Sequence, residues 1–441
     1  MNIMKITKPI TVAFTLAAAI SLSAAPKVSN VTFEQDSVSS RKVTITYKLE
    51  TEPAIITIDI LTNGVSIGER HLTGFAGDVN RVVQPGAAHT VYWYPDKAWP
   101  DNKSDSAKAV VTAWATNAPP DYMVVNLTDG DTTYYTSTNC LPDGGLANDL
   151  YRTERMVFRK IPARGVTWRM GSPEGELGRQ ADEKPHLVTL TKDYWFGVFP
   201  VTMGQYKIIH NINSEFAPEC CFFTNTASHL TRPMQGIGMK SVRGSAKLWP
   251  ADGHEVSDGT SIALFRAIAG NRLFDLPTEA QWEYAARAGV GTSLTTGRNL
   301  NQSNKDPQLD ELGRYDKNCG SPDSDKLAAP IRANDDRTGT SKVGIYEANR
   351  WGIYDIHGNV ADICLDWYGE YEGDMETVRE NPKGPQKTDS SECVVRGGFW
   401  GYISGSSAAH CRLASRRRAP FDTNKVIGYR HMGYRLCLEI E

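Results

Sequence analysis

Between residues 27 and 118 the apolar side chains fall at strand spacing. Val43-Thr44-Ile45-Thr46-Tyr47 alternates apolar and polar positions, and Ile55-Ile56-Thr57-Ile58-Asp59-Ile60 is dense in β-branched residues. Such residues suit a pleated, half-buried surface. Asn63-Gly64 separates the second run from Val65–Ile67, and that pair is a two-residue hairpin signal. Further runs at His89–Tyr94 and Ala109–Ala115 complete the pattern of a small antiparallel sandwich. Asn117-Ala118-Pro119-Pro120 then reads as a linker, with a lead-in segment continuing to residue 154.

Beyond Tyr122 the pattern changes: strand-like pieces are short, Gly, Asn, Asp and Ser loops are long, and few helices are predicted. One starts at Thr278, a natural N-cap, with Gln281 completing a capping box. Trp282, Ala285 and Ala286 give that helix one buried face, and Gly289 is the expected C-cap. A second is expected over about residues 260–269, ending at Gly270, and a third from Val201-Thr202 through Ile208. Among ten Trp, Trp168, Trp195, Trp282, Trp351, Trp367 and Trp400 are the expected anchors of a loop-rich core.

The 441 residues allow two or three domains, and a formal net charge of −3 gives no global case for nucleic acid or an anionic membrane surface. The basic run Arg416-Arg417-Arg418 reads as a solvated turn. At the N-terminus, Lys5 and Lys8 precede an apolar stretch from Ile10 to Leu22, followed by Ser23-Ala24-Ala25. That describes a signal peptide over residues 1–25 and export from the cytoplasm; no later stretch is apolar for long enough to cross a bilayer. The even count of eight cysteines permits disulfides of unknown pairing, all of them beyond residue 139. Paired metal-ligand spacings of the zinc type are missing.

Several strings then recur in one order. They run from Met170-Gly171-Ser172-Pro173 and Val201-Thr202-Met203-Gly204-Gln205-Tyr206 to Leu276-Pro277-Thr278-Glu279-Ala280-Gln281-Trp282-Glu283-Tyr284-Ala285-Ala286-Arg287. Gly358-Asn359-Val360, Asp366-Trp367-Tyr368, Arg396-Gly397-Gly398 and Gly433-Tyr434-Arg435-Leu436 follow. With these strings, residues 155–441 resemble the formylglycine-generating enzyme (sulfatase-modifying factor) family. The resemblance implies an α+β, C-type-lectin-like, loop-rich domain, here preceded over 27–118 by a sandwich of immunoglobulin or fibronectin-III type.

The resemblance also implies chemistry. Active members oxidise a sulfatase cysteine to formylglycine with oxygen and copper(I), held by two thiolates beyond the Arg-Gly-Gly string. Here those positions are Tyr402 and Ser407, and Phe399 stands where a serine normally follows the glycines. A phenol and a hydroxyl do not replace soft sulfur ligands for Cu(I), so copper is not expected. The nearby thiols, Cys393 and Cys411, are read as a disulfide or two buried thiols, with a displaced ligand pair as the alternative. A second branch of the family takes its iron histidines from a helical N-terminal domain; His71 and His89 lie in a β-rich region without helical spacing.

Family members also hold calcium at the Gly-Asn-Val loop. Matched by position, Asp355 and Asp362 would offer carboxylates and Gly358 and Val360 carbonyls. The competing expectation is that Asp355 caps the turn and Asp362 pairs with an arginine. Tyr284, Arg287, Asn359 and Arg435 are expected to tie loops together. The resulting expectation is an exported, non-oxidising binding module for a peptide, protein or glycan. The rival is an oxidase with displaced ligands, and a purely structural extracellular protein is a third reading.

Overall fold

Alternate residues of the strand Val43–Leu49 (Val43, Ile45, Tyr47 and Leu49) are buried, and so are Ala54, Ile56, Ile58 and Ile60 of Ala54–Thr62. Both sets belong to one hydrophobic cluster with Val91 and Trp93. Each large apolar side chain removed from water contributes about 1.5–3 kcal/mol, so this seam organises the N-terminal region. Val28–Gln35, Val43–Leu49, Ala88–Trp93 and Phe75–Gly77 form one antiparallel sheet in that order. Ala54–Thr62 pairs along its length with Lys108–Ala115, and at its ends with Val65–Ser66 and Val82–Val83. Asn63 and Gly64 both have positive φ, as the tight hairpin requires. This computed structural model describes residues 25–36, 41–86, 88–213, 229–319, 339–386, 392–401, 407–421 and 431–441. Residues 1–24 of the segment read as a signal peptide over 1–25 lie outside the described residues.

The segment read as linker and lead-in is sheet. Tyr122–Asn126 and Thr132–Tyr135 pair with each other, and the five-stranded order continues through Arg155–Ile161, Tyr194–Gly197 and Cys437–Glu439. The reason is apolar: Met123, Val124 and Val125 are all buried, so both faces of that strand are covered. The N-terminal cluster also continues into Tyr135, Leu141, Tyr151, Val157, Val198 and Phe199. Among the described residues, one cluster thus includes side chains from both sides of the expected domain boundary.

Another sheet runs Arg416–Pro420, Glu392–Arg396, Ala361–Trp367, Met432–Gly433, and its strand Ala361–Trp367 is buried at every residue. A further sheet comprises Val166–Met170, His186–Leu190 and Arg379–Glu380. Helices are few and short. Met203–Ile209 and Glu279–Arg287 carry the capping boxes Thr202/Gln205 and Thr278/Gln281, and Ser261–Ile268 starts at the N-cap Thr260. The C-cap of Glu279–Arg287 is Ala288, in the left-handed region at φ +44, one residue before the expected Gly289. Trp195, Trp282, Trp367 and Trp400 are buried, while Trp168 and Trp351 are partly exposed. Among the described residues no helix is long and apolar enough to cross a membrane.

Candidate functional site

The helix Glu279–Arg287 is buried along its whole length, so its acidic side chains need partners inside the protein. Glu279, Glu283 and Arg287 recur every four residues and share one face. Arg287 pairs with Glu283 at 2.7 Å. Arg396, from the Arg-Gly-Gly string, reaches both Glu279, at 3.3 Å, and Glu283. Its guanidinium also donates to the carbonyls of Leu413 and Ala414, each at 2.9 Å, and stacks over the Trp282 ring. Arg416 makes a two-pronged bond to Glu279 at 2.8 and 2.9 Å. Arg416 is therefore inside, contrary to the solvated-turn reading. Strand alternation over Arg416–Pro420 buries Arg416, half-buries Arg417 and leaves Arg418 exposed.

Arg396 anchors the loop that follows it. Gly398, at φ +74, lies against the turn Ala408–Cys411, where a methyl group would sit 2.5 Å from the Cys411 sulfur. Phe399 comes next and is buried, its ring stacked on His431 at 3.7 Å between centroids, with the Arg417 guanidinium 5.0 Å from its ring. Trp400 donates its indole N–H to the Gln235 side chain at 2.9 Å. Tyr402 lies outside the described residues. Ser407 caps the following turn: its N–H donates to His410 Nδ1 at 3.2 Å, and its Oγ lies 3.1 Å from the same nitrogen.

The thiols are not gathered. Cys140, Cys319, Cys364, Cys393, Cys411 and Cys437 are buried, and among the described residues no disulfide joins Cys393 to Cys411, which are buried thiols in separate clusters. Cys220 and Cys221 lie outside the described residues. Cys393 donates to the Ala419 carbonyl and sits in a cluster with Trp367 and Phe421; burial pushes its thiol up to about 12. Cys411 packs with Leu294, Leu309, Leu312 and Tyr315 in a separate cluster.

In the Gly-Asn-Val loop, Asp355 accepts from the Gly344 N–H at 2.7 Å and from Asn359 Nδ2 at 3.1 Å. Gly358 donates its N–H to the Gly397 carbonyl at 2.6 Å, tying this loop to the Arg-Gly-Gly loop. Val360 is buried. Asp362 takes Arg435 Nε at 2.6 Å and the Trp282 indole N–H at 2.9 Å on one oxygen. The other oxygen is buried without a hydrogen-bond partner among the described residues. The same guanidinium donates to the carbonyls of Tyr354 and Asp355 at 2.6 and 2.7 Å. A permanent cation, Arg435, thus already sits among the loop's oxygens.

His357 lies between these loops, fully buried, with Nδ1 donating to the Cys411 carbonyl at 2.7 Å and Nε2 accepting the Thr295 N–H at 3.1 Å. Burial pulls it down to about 4, so it stays neutral in the native state. The unfolded chain takes up that proton near 6.5. The stabilisation from neutral His357 is therefore complete above pH 6.5 and is lost as pH falls toward 4. The expected loss is about 3 kcal/mol. Urea unfolding followed from pH 7 to 4 should show this slope, and His357→Asn should flatten it; an unchanged slope would remove His357 as its source.

The model of the sulfatase-modifying factor enzyme 1-like domain matches residues 157–435, well over half of the chain. The formylglycine-generating enzyme of Mus musculus is 31% identical over 163 residues, 37% of this chain and 39% of that protein. The serine/threonine-protein kinase pkn1 of Chlamydia pneumoniae is 28% identical over 287 residues, 63% of this chain and 38% of that protein. The chain thus spans about two fifths of the length of these curated relatives. Among solved structures, variable protein 1 of Treponema denticola matches with a TM-score of 0.43 and 21% identity, covering 64% of this chain and 95% of that one. From Val157 to Arg435, this chain belongs to the sulfatase-modifying factor enzyme 1-like domain family.

Proposed function

We propose that the chain is an exported, non-oxidising member of its family that binds a peptide, protein or glycan. On this reading its C-terminal part is a C-type-lectin-like domain and its first two sheets an immunoglobulin- or fibronectin-type sandwich. The observation that carries the reading is Phe399. Where the family has a serine hydroxyl, this chain buries an aromatic ring against His431 and Arg417. The replacements at Tyr402 and Ser407 point the same way, because neither offers a soft ligand for copper(I). The raised thiol pKa of Cys393, and the packing of Cys393 and Cys411 in separate clusters, argue against the pair as substitutes. Export rests on the charged, apolar and small-residue sequence of residues 5–25. For the Gly-Asn-Val loop, the Asp362–Arg435 pair favours a guanidinium-held loop over calcium at Asp355, Gly358, Val360 and Asp362.

One experiment separates this reading from a rewired oxidase. The mature protein is titrated anaerobically with Cu(I) and incubated with a cysteine-containing sulfatase peptide under oxygen, and its melting is followed with Ca²⁺ or EDTA. No stoichiometric Cu(I) binding, no peptide oxidation and a calcium-independent Tm are expected. Tight Cu(I) binding that is lost in Cys393→Ser or Cys411→Ser, together with peptide turnover, would establish the oxidase instead.

A further inference from the structure

Beneath the N-terminus of the helix Glu279–Arg287 lies a cavity of about 230 Å³. Its walls come from that helix, from Asp366 near the end of the strand Ala361–Trp367, and from residues 369–372 and 379–385. It is smaller than the roughly 300–1,000 Å³ of pockets for drug-sized ligands, so it suits a small group.

The hydrogen-bonding capacity of its lining is one-sided. Arg416 spends Nε and Nη2 on Glu279 and Nη1 on the Gly369 carbonyl, and its face on Tyr371, whose ring centre is 3.9 Å away. The Tyr371 hydroxyl donates to Glu279 at 2.8 Å. His186 is 2% exposed and directs Nδ1 at the Lys184 carbonyl, 3.0 Å away, which leaves Nε2 as an acceptor. Asp366, 3% exposed, accepts the Glu279 N–H at 2.7 Å, and among the described residues no ion pair reaches it. At the rim, the exposed Glu370, Glu372 and Glu380 share the lining with Arg379 and Lys383, and the Lys383 ammonium rests over Trp249. Met170, Ala280, Pro382 and Pro385 supply apolar wall. The buried donors of this lining are committed to protein acceptors, and the rim carries charges of both signs.

We infer that this cavity receives a primary aliphatic ammonium group, with Asp366 as its counter-ion and the apolar wall along its methylene stem. The electrostatics agree. Burial, and then the Glu279 charge, push the Asp366 carboxyl up to about 8; the charged and titratable groups facing it are Glu279, Arg416 and His186, with Arg379 and Lys383 at the rim. Near neutral pH the carboxyl holds a proton because burial and the Glu279 charge outweigh the pull of Arg416. An entering ammonium supplies a cation, the proton leaves to solvent, and the carboxylate and ammonium pair.

The test titrates the whole chain by calorimetry at pH 7 with cadaverine, Nα-acetyl-lysine-methylamide and its Nε-acetylated form, each in two buffers of different ionisation enthalpy. Saturable millimolar or tighter binding of an amine with proton release is expected, and the Nε-acetylated form should be silent. Preference for the lysine derivative assigns the site to a protein side chain, and preference for cadaverine assigns it to a free amine. Asp366→Asn keeps an acceptor for the Glu279 N–H and should weaken binding at least tenfold without lowering Tm. Should that variant fold poorly, the exposed triple change Glu370→Gln, Glu372→Gln and Glu380→Gln should weaken binding several-fold. Equal binding of the acetylated form, indifference to these variants, or no saturable amine binding would overturn the inference. None of these outcomes bears on the Cu(I) and peptide-oxidation assay.

Discussion

Arg396→Ala is expected to lower the unfolding free energy by about 3–5 kcal/mol, the range for removing one partner from a buried charge network. Arg396 has no exposed side-chain surface, and it bridges Glu279 and Glu283 across the helix that both occupy. Its loss leaves Glu283 with Arg287 alone and takes the donors from the Leu413 and Ala414 carbonyls. It also frees the turn that carries Gly398 and Phe399. Arg396→Lys should recover little, because an ammonium cannot serve two carboxylates and two carbonyls with a planar fork. The comparison is Arg418→Ala. Arg418 is exposed and pairs with Glu392 at 3.4 Å, and a surface pair of that kind contributes under about 1 kcal/mol. Urea unfolding of the three variants decides the matter: a loss below 1 kcal/mol in Arg396→Ala would show that the network is not what holds this loop.

Gly358→Ala should be comparably damaging, at about 3 kcal/mol or more, or should abolish folding. Gly358 has φ +86, where an alanine is strained by about 1–3 kcal/mol. Its missing side chain also makes room for the Arg314 carbonyl, into which a methyl group would run. The approach is reciprocal, because Gly313 lies against the His357 carbonyl with no room for a Cβ either. Two backbone segments are thus in direct contact, joined by the Asn359 N–H donating to the Arg314 carbonyl at 2.6 Å. Gly289→Ala is the matched control: φ is also positive, at +85, but a Cβ there meets nothing within 4 Å. If both variants lose the same stability, strain alone accounts for Gly358; a much larger loss at Gly358 identifies the packed contact.

The strand at Val43–Leu49 was legible from its period-two burial, and that at Ala54–Thr62 from its β-branched run ending at a turn signal. Val43–Leu49 alternates cleanly, and Asn63-Gly64 has no other low-energy use than the turn it makes. The helix at Thr278 was legible for a local reason too, since its cap and its Gln281 lie within one turn. The lead-in strands at residues 122–135 were hidden by the Pro-rich segment before them and by the absence of alternation in Met123-Val124-Val125, a strand covered on both faces. The expectation that Arg435 ties loops and that Asp362 meets an arginine came from composition and resemblance, and the pair at 2.6 Å realises it. Arg416 was misread because a run of three like charges looks solvated until the strand's pleat turns its first member inward.

The sequence alone determined the local vocabulary of this protein. Strand periods, the hairpin, the helix caps and the family strings are all short-range patterns, readable within a few residues. Tertiary structure decided everything that depends on residues far apart in the chain. Glu279 meets Arg416 across 137 residues, His357 meets the Cys411 carbonyl across 54, and the cavity beside Asp366 is walled by segments from Met170 to Arg416. The physical reason is that a buried charge is neutralised by whichever partner the packed backbone delivers, and no local pattern encodes that delivery.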